Sequence, residues 1–143
     1  MTPSPLLGPV VALVAWSILV LFYMGFRRFK GVKCAGLKVD PSRGGRGQDL
    51  EGVLEPRANW PAHNYAHLME QPTLFYAIVL ALVLMGFDHP INVMLAWAYV
   101  AIRIAHSLVQ IINNDLRIRF PLFLLSTLAL ASLTIHAGLR LWH

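Results

Sequence analysis

The sequence predicts an all-α integral membrane protein, a bundle of four helices that each cross the bilayer. Its 143 residues are 57% hydrophobic and only 13% charged, whereas an average soluble chain is about 25% charged. The apolar residues recur along nearly the whole chain, and at about 20 residues per crossing helix the chain has room for four spans and their loops. This composition excludes intrinsic disorder and argues against a soluble domain with a single anchor.

The first span is predicted over residues 6–26, as a retained helix whose N-terminus lies outside. No basic residue precedes it, and Arg27 and Arg28 follow it directly, which reverses the charge order of a cleavable signal peptide. Eight of the twelve Lys and Arg residues lie between Arg27 and Arg57. Residues 27–58 are therefore predicted to form a basic cytoplasmic loop held at anionic lipid headgroups.

A glycine-rich stretch, Arg-Gly-Gly-Arg-Gly at residues 43–47, lies within this loop. A phosphate-binding glycine loop requires a preceding strand, a following helix and a fixed spacing, and the sequence offers none of them. The loop is interpreted as a mobile segment whose basic residues contact lipid, and a lid over a partner or ligand is the alternative. The net charge of +5 is therefore interpreted as a sign of contact with anionic membrane lipids and not with nucleic acid. Cys34 is the single cysteine, so an intrachain disulfide is excluded.

The second span is predicted over residues 61–86, with Trp60 at the membrane interface and Pro61 in the first helical turn. Its first half is unusually polar. Pro72 lacks a backbone N–H and is expected to bend this helix. A tight outer turn follows, in which Asp88 is the expected N-cap of the next helix.

The third and fourth spans are predicted over residues 91–112 and 121–141. The segment between them, residues 113–119, is short and basic like residues 27–58, whereas the turn between the second and third spans carries no Lys or Arg. Both basic loops are therefore assigned to the cytoplasm and both termini to the outside. The four spans are expected to form one membrane domain over residues 1–143.

Polar and ionisable side chains at membrane depth are the candidate functional residues, because an ionisable group there costs several kcal/mol unless it is paired or faces water. Glu70 is predicted to lie roughly 12 to 15 Å and Arg103 about 15 Å above the inner ends of their helices, at about 1.5 Å per residue, and therefore in a similar layer. Residues three or four apart share a helical face. The candidates, expected to line a polar cavity that opens inward, are His63, Asn64, His67, Glu70, Arg103, His106 and Gln110.

Simpler interpretations of these residues stay open. Glu70 and Arg103 can pair only to hold two helices together, and His106 can act as an ordinary interhelical hydrogen-bonding group. His63 and His67 can reach the interface or bond to a neighbour. The spacing of His63, His67 and Glu70 would also suit a metal, but polar residues at the inner end of a membrane helix often serve solvation alone, and no metal site is predicted.

Three stretches resemble a known family: Arg57-Ala58, the run Glu70-Gln71-Pro72-Thr73-Leu74-Phe75, and Arg103-Ile104-Ala105-His106. An Arg-x-x-His pair in the third span combined with Glu before Pro in the second is similar to the MAPEG family, the membrane-associated proteins in eicosanoid and glutathione metabolism. The four-span layout extends the resemblance to the whole chain. The chain is identified as a divergent, bacterial-type member, which implies a bacterial inner membrane.

The resemblance implies a trimer of four-helix subunits that binds glutathione between subunits on the cytoplasmic side. Glu70 matches the second-helix Glu of the family, expected to hold the glutathione amine or to pair with an Arg. Arg103 and His106 match the third-helix Arg and His. Arg117 or Arg119 would match the loop Arg that is expected near the thiolate.

The sequence departs from the best-known members of this family at three of the candidate positions. His63 stands where they have Arg, His67 where they have Asn, and Gln110 where they have Tyr. Fewer charged groups therefore remain to hold the glutathione carboxylates.

The expected function is a glutathione-dependent transferase or peroxidase that acts on apolar, lipid-like electrophiles reaching the site from the bilayer. Arg117 and Arg119 are the expected catalytic residues, because a guanidinium favours the reactive thiolate. The expected partners are membrane lipids, glutathione, an apolar substrate and further copies of the chain. Two alternatives stay open: a non-catalytic lipid-binding member of the same family, and a small membrane transporter or metal-binding protein.

Overall fold

A computed structural model describes residues 3–38, 40, 42 and 44–142, and this part of the chain is helical and without strands. The four long helices are α1 (Leu7–Cys34), α2 (Pro56–Leu84), α3 (Pro90–Ile112) and α4 (Leu116–Trp142), with one 3₁₀ turn at Gly47–Leu50. All four are long and apolar enough to cross a membrane. The predicted all-α, four-span membrane protein is therefore confirmed.

The helices extend beyond the predicted membrane-spanning segments at three ends. Helix α1 continues to Cys34, α2 begins at Pro56, and α4 begins at Leu116. Arg and Lys are good helix formers, so a helix that leaves the hydrocarbon layer has no cause to end at the first charge. The connection between α1 and α2, predicted over 27–58, is reduced to residues 35–55.

The N-cap of α3 is His89, and the assignment of this role to Asp88 was wrong. The Nδ1 atom of His89 accepts a hydrogen bond from the Ile91 N–H at 3.3 Å, and Pro90 occupies the first helical position. A residue before proline is held in an extended backbone conformation, which is the conformation of an N-cap. Pro72 lies within α2, and the helix continues past it to Leu84.

The bundle is held by two well-packed helix pairs, because α3 packs most extensively on α4 and α1 on α2. At the centre of the core Phe75 stacks on Tyr99, with ring centroids 4.3 Å apart. Large apolar side chains such as Phe22 and Leu84 lie exposed on the outside. An apolar exterior of this kind suits contact with lipid. The end of the bundle where α1 and α3 finish and α2 and α4 begin is called the basic end below.

The connection after α1 folds back onto the helices at the basic end. The Nη2 group of Arg28 donates to the Gly47 carbonyl at 3.1 Å, and the Nδ2 group of Asn59 donates to the Leu50 carbonyl at 3.2 Å. The backbone N–H of Arg46 donates to the Asp49 carboxylate at 2.7 Å. These bonds attach the connection at Gly47 to α1 and at Leu50 to α2, while Arg43 of the glycine-rich stretch lies outside the described residues.

Replacing Gly47 by alanine is expected to release this connection from α1. A Cβ atom at Gly47 would collide with the Arg28 guanidinium, whereas one at Gly44 would meet nothing within 4 Å. Because the Arg28 side chain can swing aside, the global stability should change little. We expect several-fold faster amide hydrogen exchange over residues 46–54 in Gly47→Ala and unchanged exchange in the control Gly44→Ala. Equal exchange in both variants would contradict the role of Arg28.

Candidate functional site

The candidate residues lie in two groups that the helix packing separates. Four of them are enclosed between the helices and expose at most 3% of their surface: Asn64, Arg103, His106 and Gln110. The others are exposed or half-exposed: His63, His67, Glu70, Arg117 and Arg119. Within this chain the candidates on α2 and α3 therefore do not share one exposed surface, because the α3 residues turn into the bundle.

Arg103 crosses from α3 to α2 in the interior. Its Nη2 group donates to the backbone carbonyl of His67 at 2.8 Å. Its Nε and Nη1 groups are buried, and no residue that the structure describes accepts a hydrogen bond from them. A guanidinium has five N–H donors, so most of the hydrogen-bonding capacity of Arg103 is unused within the described part of the chain. The contact also places Arg103 at the level of the turn of α2 that carries Glu70.

Glu70 contacts a histidine on its own helix. Its Oε2 atom lies 3.3 Å from His67 Nδ1, and its side chain is 68% exposed. The charges of Glu70 and Arg103 act on each other, but no ion pair joins them directly in the described part of the chain. Within this chain Arg103 is therefore held to α2 by the His67 carbonyl and not by the Glu70 carboxylate.

His67 connects the two groups. Its ring contacts the Glu70 carboxylate on one side, and on the other it meets the His106 ring edge-on, with centroids 6.1 Å apart and planes at 77°. Its backbone carbonyl holds Arg103. A single half-exposed residue thus lies between the exposed carboxylate and the enclosed basic residues.

Two polar clusters, centred on Ser107 and Gln71, which the sequence interpretation missed, join the four helices around this site. In the first, the Ser107 hydroxyl accepts hydrogen bonds from Trp16 Nε1 at 2.9 Å and from Asn64 Nδ2 at 2.5 Å, which joins α1, α2 and α3. Ser107 follows His106 directly, and a polar residue at this position of an apolar span was the sequence signal that could have identified the cluster. Asn64 and Gln110 each keep a buried side-chain oxygen without a partner.

The second cluster centres on Gln71, the residue after Glu70. Its Nε2 group donates to the Thr127 hydroxyl at 2.8 Å, and its Oε1 atom accepts from Tyr99 at 3.3 Å and from Ser126 at 3.4 Å. These bonds join α2, α3 and α4 and point Gln71 inward. Since neighbouring residues on a helix point about 100° apart, these bonds also hold Glu70 on the outside of the bundle.

The two arginines at the start of α4 differ in their surroundings. Arg119 is partly buried, its Nη1 group donates to Asn114 Oδ1 at 2.5 Å, and its Nε group is buried without a partner. Its charge acts on both His67 and His106. The side chain of Arg117 is exposed, while its backbone N–H donates to Asp115 Oδ1 at 2.9 Å. Arg119 is therefore the closer of the two to the candidate site.

His63 lies apart from the other two residues of the alternative metal site. Its Nε2 atom is 3.1 Å from Glu51 Oε1 in the connection after α1, while His67 contacts Glu70. No cluster of three or more His, Cys, Asp or Glu side chains that could hold a metal is found among the described residues. The arrangement does not favour the metal-binding alternative.

The outer face of α2 carries the exposed candidates. A stripe of exposed residues with the spacing 3-4-3-4-3-4 runs along it: His63, Ala66, Glu70, Thr73, Ala77, Leu80 and Leu84. Glu70 lies fourteen residues from each end of α2, which is about 21 Å along the axis. A carboxylate at the middle of a membrane helix must not face lipid tails, so this stripe requires another protein surface or water in front of it.

The comparisons with known proteins identify a family. The model of the MAPEG family matches residues 6–139 of the 143-residue chain. No curated protein and no solved structure matches the chain.

Proposed function

The chain belongs to the MAPEG family, and on this premise we propose that it is a membrane-bound, glutathione-dependent transferase or peroxidase for apolar, lipid-like electrophiles. The family includes glutathione transferases and peroxidases as well as other members. The observation that carries the proposal is the exposed Glu70–His67 pair in front of the enclosed Arg103 and His106. A carboxylate and two basic groups at one level of a membrane protein are suited to a small zwitterionic ligand.

We further propose that the protein is a trimer and that the thiol is bound between subunits toward the basic end. The support is the exposed stripe of α2, which has a helix-pairing spacing and carries Glu70 at the middle of the helix. The small residues Ala66, Thr73 and Ala77 on this stripe would let neighbouring helices approach closely. A neighbouring subunit would shield Glu70 from lipid and leave a cleft beside His67.

The residues of the site fit glutathione in charge and in hydrogen-bonding capacity. Glutathione carries two carboxylates and an ammonium group, and when bound it supplies a thiol as the nucleophile. The free Nε and Nη1 groups of Arg103 suit a carboxylate, and the Glu70 carboxylate suits the ammonium group. The unpartnered side-chain oxygens of Asn64 and Gln110 offer acceptors for amide N–H groups.

Arg119 and Arg117 are proposed to favour the thiolate. A guanidinium close to a thiol stabilises its deprotonated, nucleophilic form. Arg119 keeps an unpartnered, buried Nε group and acts electrostatically on His67 and His106. The Nη1 group of Arg119 donates to Asn114 Oδ1, so the guanidinium is oriented before any ligand arrives.

Removing the guanidinium of Arg119 is expected to slow catalysis without much loss of binding. Arg119→Ala should lower kcat for glutathione conjugation about a hundredfold, the usual effect of losing one electrostatic stabiliser, while the glutathione Kd changes less than about threefold. Arg117→Ala is the matched control and should lose less activity, because Arg117 is exposed. Full activity in the double Arg117 and Arg119 variant would exclude the catalytic role of both.

A non-catalytic lipid-binding function is the second candidate, and two observations favour it. Gln110 is enclosed and has an amide where the best-known members of the family have the phenol of Tyr. His63 stands where those members have Arg, and it contacts Glu51. Both features reduce the groups available to hold and activate a thiol. The two candidate functions require the same oligomer and the same cleft beside His67 of α2, and only the first includes catalytic turnover.

Native mass spectrometry in mild detergent with increasing glutathione tests the proposal. We expect the mass of a trimer, with glutathione adducts that appear at millimolar or lower concentration. A monomer or dimer in several detergents would contradict the trimer and the site between subunits. A trimer that binds glutathione but does not conjugate an apolar electrophile such as an aryl halide would favour the non-catalytic function.

We also propose that both termini lie outside a bacterial inner membrane and that the basic end is cytoplasmic, because of the Lys and Arg distribution. Cys34 is exposed at the end of α1 and is the only cysteine of the chain. A membrane-impermeant maleimide should therefore leave intact cells unlabelled and should react with Cys34 in inside-out vesicles. Labelling of intact cells would reverse the orientation.

A further inference from the structure

The imidazole of His67 is oriented by a carboxylate. Its Nδ1 atom lies 3.3 Å from Oε2 of Glu70. An ionised carboxylate only accepts hydrogen bonds, so this contact favours the neutral tautomer that carries its proton on Nδ1. The Nε2 atom then keeps its lone pair. A carboxylate that holds a histidine in this way fixes the ring for proton transfer and stabilises the imidazolium ion that forms.

The Nε2 atom of His67 is open to a ligand. It makes no hydrogen bond to a residue that the structure describes, and it is not one of the buried side-chain atoms without a partner. The side chain is 39% exposed. The ring also meets that of His106 edge-on, which restricts its rotation together with the Glu70 contact. An accessible lone pair on a restrained ring is the arrangement that a general base requires.

His67 lies between the two ends of the proposed glutathione site. It contacts Glu70, which is proposed to hold the ammonium group, and the charge of Arg119, which is proposed to favour the thiolate, acts on it. The cysteine of glutathione directly follows the residue that carries this ammonium group. A base that adjoins Glu70 is therefore suited to the proton of the thiol.

The groups around His67 allow its ring both to take up and to release a proton. The titratable and charged groups that act on it are Glu70 on α2, Arg103 and His106 on α3, and Arg119 on α4. The carboxylate favours the protonated ring, whereas the two guanidinium groups oppose it. Charges of both signs therefore keep either protonation state accessible.

We propose that His67 is the general base that deprotonates the bound thiol, with Glu70 as its orienting partner. Nε2 takes the proton, the S–H bond breaks, and its electron pair stays on the sulfur, where Arg119 favours the negative charge. The ring later gives the proton to water. This inference rests on the proposed glutathione function and assigns catalysis to a position where the best-known members of the family have Asn.

The tautomer of His67 tests this proposal without glutathione. Nitrogen NMR of the histidine side chains in the detergent-purified protein reports which ring nitrogen carries the proton, and the signals lost in His67→Gln identify His67. We expect the proton on Nδ1 in the neutral ring. Glu70→Gln should give a mixture of tautomers, because an amide can donate as well as accept. A proton on Nε2 in the unmodified protein would overturn the proposal.

The pH dependence of conjugation tests the catalytic role. His67→Asn should lower kcat/KM about a hundredfold at neutral pH, the lower range for loss of a general base. The deficit should shrink above about pH 8.5, where a thiol ionises unaided. In the unmodified protein kcat/KM should fall below the midpoint of the His67 titration seen by NMR. The ultraviolet absorbance of bound thiolate should decrease in parallel in the variant, while the glutathione Kd changes less than about threefold.

His89→Asn is the matched control. It makes the same change at an exposed N-cap at the opposite end of the bundle, where Asn is equally suited. Its pH profile should equal that of the unmodified protein. Imidazole added to His67→Ala should restore conjugation, whereas pyrazole, a ring of the same shape and much lower basicity, should not.

Equal rescue by both rings would overturn the proposal, since it would indicate that the ring only fills space. An unchanged pH profile in an active His67→Asn protein would also overturn it and would leave the proposed glutathione function intact. Absence of conjugation in the unmodified protein would instead contradict both. The thermal midpoint identifies misfolded variants, and if His67→Asn fails to fold, His67→Gln provides the same comparison.

Discussion

Glu70→Gln is expected to weaken glutathione binding about tenfold or more. The change replaces an exposed carboxylate by an amide of the same shape, and the loss of a charge-assisted hydrogen bond to an ammonium group costs about 1.5 to 3 kcal/mol. Folding should be little affected, because the side chain is 68% exposed and its contact within the subunit is with His67. Isothermal titration of detergent-purified protein with glutathione measures the change in Kd.

Asp88→Asn is the matched control for this experiment. It makes the same carboxylate-to-amide change on an exposed residue in the turn after α2, at the opposite end of the bundle from the basic end. Its glutathione Kd should equal that of the unmodified protein. If Glu70→Gln instead lowers the thermal midpoint and leaves the Kd of the folded protein unchanged, Glu70 has a structural role between subunits and the proposed ligand contact is wrong.

Two substitutions of Arg103 are expected to separate its effect on glutathione binding from its effect on stability. Arg103→Ala should lower the free energy of unfolding by about 2 to 5 kcal/mol, because it empties a large volume in a core position that is 99% buried. Arg103→Met should stay within about 1.5 kcal/mol of the unmodified protein. Met fills most of that volume and replaces a buried charge whose Nε and Nη1 groups have no partner.

Both Arg103 variants should lose at least about tenfold in glutathione affinity, since neither keeps a donor for a carboxylate. Arg103→Met is the informative variant because it separates loss of the ligand contact from loss of the fold. Thermal unfolding and glutathione titration of the same preparation provide both values. A stable Arg103→Met protein that binds glutathione normally would remove Arg103 from the binding site.

The sequence by itself determined the fold class, the approximate positions of the spans and the level at which the polar residues lie. These features depend on local properties, namely the length of apolar runs, the distribution of Lys and Arg, and a rise per residue that is the same in every helix. Glu70 and Arg103 could be placed in one layer by this arithmetic. The Arg103 contact with the carbonyl of His67 is consistent with that placement.

The helix ends were less predictable, because the sequence marks where the chain leaves the hydrocarbon layer and not where helical hydrogen bonding stops. Helix α1 continues past Arg27 to Cys34, and Pro61 and Pro121 lie within helices that begin earlier. Each of these prolines is the sixth residue of its helix and therefore removes one backbone hydrogen bond, and the Arg57 carbonyl that lacks the bond from Pro61 accepts one from Arg27 instead.

Only the tertiary structure decided which way each polar side chain faces. The rotation of a helix about its axis is set by packing against its neighbours, and α2 carries polar residues on both its inner and outer faces. The bonds of Gln71 to α3 and α4 turn that residue inward, so Glu70 faces outward toward His67 and not toward Arg103. Arg103 is enclosed for the same reason, because α3 turns its polar side toward α2. Polar residues of a membrane helix must avoid both the lipid tails and the apolar core of the bundle. Only packing against the neighbouring helices determines which of these residues turn inward and which are left for a partner to cover.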